Sequence, residues 1–213
     1  MTGGFRAAVA ARASAGLAAV EFAILLPFML FLILATSDFA RGIQANMIMI
    51  NISREAANLA ARGKVDLSTN SQVILDSVAA TAPPLDMDHR GMVYITKLMG
   101  YTDTGSGAKR TIVLEQYRWD DAATNQGFRV SGYAPSSKLW NCASWNNSTG
   151  ACNNIPTGNT APAVPLMSGN LIDGEVIYVA ESFYQFNLLF GNMKLGNMTV
   201  PVFGTNLYSQ TVF

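Results

Sequence analysis

Histidine, cysteine and charged residues are all scarce in this sequence. Its 213 residues include one histidine, two cysteines and 13% charged residues. A Ser-His-Asp or Cys-His catalytic arrangement would have to use His89, the only histidine. The sequence also contains no phosphate-binding glycine loop and no dinucleotide fingerprint. We therefore expect neither an enzyme nor a bound cofactor.

The scarcity of ligand-type residues also argues against a metal site. The segment 86–89 (Asp-Met-Asp-His) resembles a small metal-binding cluster, but it follows two prolines, where a polar turn is expected in any case. A zinc site at the two cysteines would need two further ligands, and His89 is distant in sequence. We favour the turn.

Charge is balanced overall, but its distribution along the chain is informative. The 14 basic and 14 acidic residues leave no basic excess of the kind that marks a nucleic-acid-binding protein. Arg6 and Arg12 are the only charges before a long apolar run. Because positive flanks stay in the cytoplasm, the N-terminus should lie inside and everything after Thr36 outside.

The apolar run extends from Leu17 to Ala35 and is long enough to cross a bilayer as a helix. It contains one charge, Glu21, which costs roughly 2.5–3.5 kcal/mol inside a membrane and is by default a functional candidate. The alternative is a carboxylate close enough to the interface to reach water. Pro27 should kink or loosen the span, unless it is simply a tolerated membrane proline.

The helical pattern continues beyond the span to Arg62, with Gly63 as its stop signal. Asp38 and Arg41 are three residues apart and can pair on one helix face. One stripe of the helix should pack on a domain or another subunit. We place Ile43, Met47, Ile50 and Ala57 on that stripe, with Ile52, Ala56, Leu59 and Ala60 near it.

The remainder, residues 63–213, should form an exported domain with a helix and several strands. Thr69 and Gln72 resemble a capping box for a helix that ends before Pro83-Pro84. Expected strands cover 92–99, 111–119, 127–133, 175–186, 198–203 and 205–213. We predict an α+β fold in which a mainly antiparallel sheet packs one face on the long helix.

A region rich in Pro, Ser, Asn, Thr and Gly interrupts the strands at residues 134–170 and should be one long loop. Cys142 and Cys152 lie inside it and should form a disulfide in an oxidising compartment. This agrees with the topology inferred from the arginines. Trp140 and Trp145 are either exposed contact residues or packing residues, and we favour packing.

A family resemblance is carried by three motifs. Gly16 precedes the apolar run, with Glu21 five residues later and then Phe22, a spacing that resembles the class III signal of type IV pilin-like proteins. The run from Leu17 to Pro27, the segment 38–41 and the segment 53–57 with Arg54 and Glu55 together resemble TadE-like minor pilins (pseudopilins) of the tight-adherence, or Flp, pilus. The resemblance covers about residues 12–62.

The resemblance implies how the chain is processed and used. A prepilin peptidase would cut between Gly16 and Leu17, removing a leader of residues 1–16 and leaving a helix over 17–62 that spans the inner membrane to about residue 36. Glu21 would pair with the N-terminal amine of a neighbouring subunit. Expected partners are the peptidase, other pilins, the pilus assembly platform and the bilayer, with roles in adhesion or biofilm formation.

Two other functions are compatible with the sequence. The span could be an uncut signal anchor for an exported domain that binds a surface ligand through residues 140–152. A membrane-tethered hydrolase is the weaker alternative, because the sequence offers no catalytic constellation.

Overall fold

A computed structural model describes residues 3–62, 66–188, 194–195, 198–199 and 206–213. The chain forms two compact units: residues 1–43 with 188–203, and residues 44–187 with 204–213. The helices are α1 Gly3–Ala61, α2 Leu67–Ala79, α3 Met87–Arg90 and α4 Phe128–Ser131. The strands are β1 Gly91–Thr102, β2 Lys109–Arg118, β3 Asp120–Asp121, β4 Gln126–Gly127, β5 Ala163–Val164, β6 Val176–Gln185, β7 Lys194–Leu195, β8 Met198–Thr199 and β9 Asn206–Val212.

The long helix predicted from the sequence is confirmed, although α1 already begins at Gly3 and ends one residue before Arg62. It continues through Pro27. In the first unit its apolar side chains from Val20 to Ile33 are exposed, including Phe22 at 66%. An 18-residue window here has a mean hydropathy of 2.3 and none of it is buried, so this part of α1 is long and apolar enough to cross a membrane.

The second unit is built on one five-stranded antiparallel sheet, in the order β5-β2-β1-β6-β9. Its two central pairings join β1 to β2 and β1 to β6 along most of their lengths. The C-terminal strand β9 pairs with β6, from Val179 opposite Val212 to Gln185 opposite Asn206. This arrangement gives the α+β class expected from the sequence.

Helices cover one face of the sheet. Residues 44–61 of α1 contact β6 and β9, since the Ser182 hydroxyl donates to the Met49 carbonyl oxygen at 3.0 Å. α2 contacts the end of β2, where Trp119 is fully buried. The side chains that α1 buries in this unit are Ala45, Met49, Ile52, Ser53, Ala56, Ala57 and Ala60.

Two residues of the predicted α1 stripe do not pack on the sheet of their own chain. Met47 is 58% exposed, and Ile43, in the first unit, is 48% exposed. Met49 and Ser53, which the prediction omitted, are both fully buried. The pattern of large apolar residues at helical spacing did not reveal the buried face, because most residues of that face are alanines and one is a serine. These small residues allow the helix to pack close to the sheet.

The long loop covers the other face of the sheet. Its side chains Leu139, Trp140, Ile155 and Leu166 pack against a core formed by β1, β2 and β6 together with residues of the loop region. The buried members of that core are Leu98, Val113, Val164, Leu171, Ile177 and Val179. The packing interpretation of Trp140 is thereby confirmed, and both faces of the sheet are covered.

The capping box predicted at Thr69 was wrong. The N-cap of α2 is Asp66, whose carboxylate accepts from the Ser68 backbone N–H at 2.9 Å. Gln72 points to the sheet instead: its Nε2 donates to the carbonyl oxygens of Arg118 and Thr149, and its Oε1 accepts from the Asp120 N–H. Gln72 is half-buried and thus connects α2 to the segment after β2 and to the loop, instead of closing a local cap.

The strand predictions were mostly confirmed. The segment 127–133 was wrong: after Gly127 the chain turns into the short α4, and Gly132 takes a left-handed φ of 64° at its end. Most of the strand predicted at 198–203 lies outside the described residues, which include only β8 there. Segment 86–89, which was expected to be a turn, instead forms the start of the short helix α3, with His89 Nδ1 2.9 Å from Asp86 Oδ1. Among the described residues no group of metal-ligating side chains is found.

The contact between α2 and β3 contains a titratable pair, Asp76 and Asp121. The Trp119 indole N–H donates to Asp76 Oδ1 at 2.7 Å. Burial raises the pKa of Asp76 to about 6, and a hydrogen bond with Asp121 acts in the same direction. For Asp121, burial is outweighed by hydrogen bonds from the Thr124 hydroxyl and from the N–H groups of Ala123 and Thr124, so its pKa is lowered.

This pair predicts a pH-dependent stability. Because folded Asp76 binds its proton more tightly than the unfolded chain does, the free energy of unfolding should fall as pH rises from about 4 to about 6. Asp76→Asn keeps an oxygen for Trp119 and should reduce this fall. Denaturant midpoints of the detergent-solubilised chain, followed by tryptophan fluorescence across this range, measure it. Asp88→Asn, at an exposed carboxyl, is the control; equal pH dependence in Asp76→Asn and the parent chain would contradict the assignment.

Candidate functional site

The residues singled out by the sequence motifs lie along α1. Gly16 and Leu17 are within the helix, where the backbone alone is described. Glu21 and Phe22 follow on an exposed part of the helix. The side chains around them from Val20 to Ile33 are apolar and equally exposed. Glu21 is therefore a carboxylate in an apolar helical surface that would face lipid or another protein.

Pro27 lies inside α1, six residues after Glu21. A proline at this position removes one backbone hydrogen bond, and the helix nevertheless continues on both sides. The kink at Pro27 remains a prediction.

Asp38 and Arg41 form the pair predicted from their spacing. Arg41 Nη1 donates to Asp38 Oδ1 at 3.2 Å. The Asp38 side chain is 8% exposed and that of Arg41 47% exposed. The pair follows the apolar run directly, so a charged layer marks the end of the candidate membrane span.

Ser53 opens the second helical motif and ties α1 to the C-terminal strand. Its hydroxyl lies 2.8 Å from the Ser209 hydroxyl and 3.0 Å from that of Thr211, both on β9. It also donates to the Ile50 carbonyl oxygen at 3.0 Å. Ser53 is fully buried, so these hydroxyls satisfy one another where water is excluded.

Arg54 and Glu55, the next two motif residues, point away from the sheet and are exposed. The residues of the motif at 53–57 therefore lie on two different faces of the helix. Ser53, Ala56 and Ala57 hold the helix to its own domain, and the two charged residues are available to other molecules.

The disulfide between Cys142 and Cys152 is present, with a Cα–Cα distance of 5.9 Å. Residues beside it pair with the sheet: the Cys152 N–H donates to the Gln116 carbonyl oxygen, and the Arg118 N–H donates to the Gly150 carbonyl oxygen, both at 2.8 Å. Trp145 lies with its ring centroid 5.7 Å from that of Tyr94 and beneath the Arg118 guanidinium. These contacts attach the disulfide loop to strands β1 and β2 of the sheet.

Glu181 is the residue that sequence reasoning did not recognise as part of this attachment. Its carboxylate is fully buried on the loop-covered face and accepts hydrogen bonds from the Ser137 hydroxyl, the Lys138 N–H at 2.9 Å and the Tyr208 hydroxyl at 3.0 Å. Burial raises the pKa of Tyr208, so its phenol remains a donor. The only sequence signal was that the charged Glu181 interrupts an apolar face of the strand predicted at residues 175–186.

Among the described residues one helix, α1, is long and apolar enough to cross a membrane, which suggests that the chain is anchored there. Residues 16–58 match the family model described as TadE-like protein. No curated protein and no solved structure matches the chain. The chain therefore carries a TadE-like segment, which associates it with the tight-adherence pilus system; this segment includes every motif residue from Gly16 to Glu55 and excludes the sheet and the disulfide loop.

The attachment of α1 to β9 gives a test of the fold. Ser53→Ala leaves the hydroxyls of Ser209 and Thr211 without a buried partner, which should cost about 1–3 kcal/mol of unfolding free energy. Urea unfolding of the detergent-solubilised chain measures it. The matched control is Ser77→Ala, because the Ser77 hydroxyl bonds only its own helix at an exposed position. Equal effects of the two substitutions would contradict the assigned role of Ser53.

Proposed function

We propose that this protein is a minor pilin or pseudopilin of a tight-adherence pilus. The observation that carries the proposal is the TadE-like match over residues 16–58, which lies on a helix that is apolar and exposed in its first part. The chain is inserted in the bacterial inner membrane with its N-terminus in the cytoplasm, in accord with Arg6 and Arg12. Residues 63–213 then form the periplasmic domain.

Processing by prepilin peptidase follows from this proposal. The cut between Gly16 and Leu17 removes the leader and leaves the apolar helix in place. The new amine at Leu17 is then available to Glu21 of a neighbouring subunit. Pairing of an amine with the carboxylate offsets the cost of a charge in apolar surroundings.

The mature protein takes part in pilus assembly and, through the pilus, in adhesion and biofilm formation. Its partners are the peptidase, other pilins and the assembly platform. In this function the chain is a substrate of an enzyme and performs no catalysis itself. The periplasmic disulfide supports the topology, because a disulfide persists in an oxidising compartment.

The processing step predicts the effect of a bulky residue at the cut. Gly16→Phe should leave the leader attached, because it replaces the small residue directly before the proposed cut with a bulky one. Immunoblots of membrane fractions separate the longer precursor from the mature chain. Gly4→Phe, inside the same leader, should be processed normally. Normal maturation and piliation of Gly16→Phe would refute the proposed cut.

The subunit contact predicts the effect of neutralising Glu21. Glu21→Gln should insert into the membrane as well as the parent chain, because the change removes a charge from an apolar helix. Incorporation into sheared pili should fall by more than about ten-fold, as expected when an amine is left without its buried partner. Asp88→Asn is the control for removal of one exposed carboxylate. If insertion and pilus incorporation fell equally, the proposed contact would be wrong.

A further inference from the structure

The last strand of the sheet has an open outer edge. β9 ends the strand order, and among the described residues no strand lies beyond it. Phe213 exchanges both of its backbone hydrogen bonds with Tyr178 of β6. Because the bonding direction alternates along an antiparallel strand, the N–H and C=O groups of Tyr208, Gln210 and Val212 point to the outer edge. These groups are placed to bond a further strand.

The two edges of the sheet differ in how they are protected. Proteins usually shield an exposed edge with charges, prolines or a very short strand. The edge strand β5 has this protection, because it is two residues long and lies between Pro162 and Pro165. β9 is seven residues long and contains no charge, proline or glycine. Of the two edges, β9 is therefore the one suited to accept a strand.

A groove of about 320 Å³ lies beside this edge, on the helix side of the sheet. One wall is the half-exposed ring of Phe213. Side chains alternate along a strand, so Phe213 lies on the same face of β9 as Ser209 and Thr211, which contact α1. A strand added to β9 would therefore direct every second side chain to the groove. The other wall is formed by α1 and the residue after it, including Asn51, Arg54, Glu55, Asn58 and Arg62.

The groove has a net positive charge. Arg54 and Arg62 are exposed, and within the described part of the chain no carboxylate pairs with either. Arg62 Nε donates to the Asn58 amide oxygen at 2.9 Å, a neutral partner that does not compensate its charge. Glu55 is the one acid among the described residues of the lining, so two positive charges and one negative charge leave +1. Since a guanidinium binds a carboxylate through two parallel hydrogen bonds, the groove favours acidic side chains.

The spacing of the two arginines matches that of an extended chain. Arg54 and Arg62 are eight residues apart, which is about 12 Å along a helix. In a strand, side chains four residues apart lie on the same face and are separated by about 13 Å. Two acidic residues at this separation can therefore each reach one arginine.

We propose that the edge of β9 binds an extended acidic segment of another polypeptide. The segment adds as a further strand and places two Asp or Glu side chains, four residues apart, on Arg54 and Arg62. In this mode of recognition the main-chain hydrogen bonds supply affinity and the side chains supply selectivity. The site lies entirely in the second unit, and the inference uses no step of the pilus proposal.

A synthetic peptide tests the acidic selectivity. The fluorescently labelled peptide Thr-Val-Glu-Val-Thr-Val-Glu-Val-Thr should bind the detergent-solubilised full chain saturably, as measured by fluorescence anisotropy. Replacing both of its glutamates by glutamine should weaken binding roughly ten-fold. Arg54→Gln should weaken binding of the acidic peptide by about three-fold and leave binding of the glutamine peptide unchanged. Lys109→Gln is the control, because it removes an exposed positive charge at the start of β2, outside the groove.

Methylated peptides distinguish strand addition from charge attraction alone. Alternate N–H groups of an added strand point to β9 or away from it. Of two acidic peptides that are N-methylated at one or the other alternate set of amides, one should therefore lose binding and the other should retain it. This comparison changes nothing in the protein.

The open edge can also be blocked in the protein. Gln210→Pro removes an N–H that points outward, a change that an edge strand tolerates, and should weaken binding of the acidic peptide by about ten-fold. Gln210→Ala is the control, because the Gln210 side chain accepts a hydrogen bond from the Tyr208 hydroxyl that both substitutions remove. Circular dichroism and urea unfolding establish that both variants are folded.

Several results would overturn the proposal. It is excluded by equal affinity for the acidic and glutamine peptides, by equal effects of Arg54→Gln and Lys109→Gln, by equal effects of the two methylation patterns, or by the absence of saturable binding. If sedimentation shows a dimer of the chain that Gln210→Pro abolishes, the edge binds a second copy and the proposed occupant is wrong. Because the purified chain is used, none of these results bears on processing or on the role in a pilus.

Discussion

The structure depends on a change of surroundings along one helix. Apart from Glu21, the side chains of α1 from Val20 to Ile33 are apolar and exposed. An apolar surface of this extent is unfavourable in water. From Ala45 onward the same helix buries small side chains against a sheet, and Ser53 satisfies its hydroxyl on β9. The first part of α1 can therefore lie in a membrane, and its second part packs within a folded domain.

The two faces of the sheet are stabilised in different ways. The helix-covered face is held by close packing and a few buried hydroxyl contacts. On the opposite face the long loop is attached through Glu181, whose carboxylate accepts three hydrogen bonds from the loop and from β9. A buried carboxylate with several donors fixes a loop more specifically than apolar contact alone, since any displacement leaves the charge unsatisfied.

The sequence was sufficient for features with strong local signals. The apolar run, the Asp38–Arg41 pair, the disulfide and most strands depend on residue type and short spacing, and the structure contains them. The buried face of α1 was misplaced because alanine and serine provide weak hydrophobic signals. The cap at Asp66 and the role of Gln72 could not be predicted either, because Gln72 bonds residues that are distant in sequence and adjacent only after folding.

In the candidate site, too, features with a local sequence signal were predicted and those that depend on packing were not. The cut, Glu21 and the helix motifs were proposed from spacing and a family resemblance; the match over residues 16–58 confirms the resemblance, and the cut and the role of Glu21 stay predictions. Which residues of the motif at 53–57 face inward was not predictable, since it depends on where β9 packs. That Arg54 and Glu55 are exposed could be seen only in the structure, because it depends on which side of the helix packs on the sheet.

The most direct test of the account is the mass of the mature protein. The chain is purified from membranes of cells with and without the prepilin peptidase, and its N-terminus is determined by mass spectrometry. The account predicts a start at Leu17 that depends on the peptidase. An intact leader in both strains would contradict it and would favour an uncut, membrane-anchored binding domain.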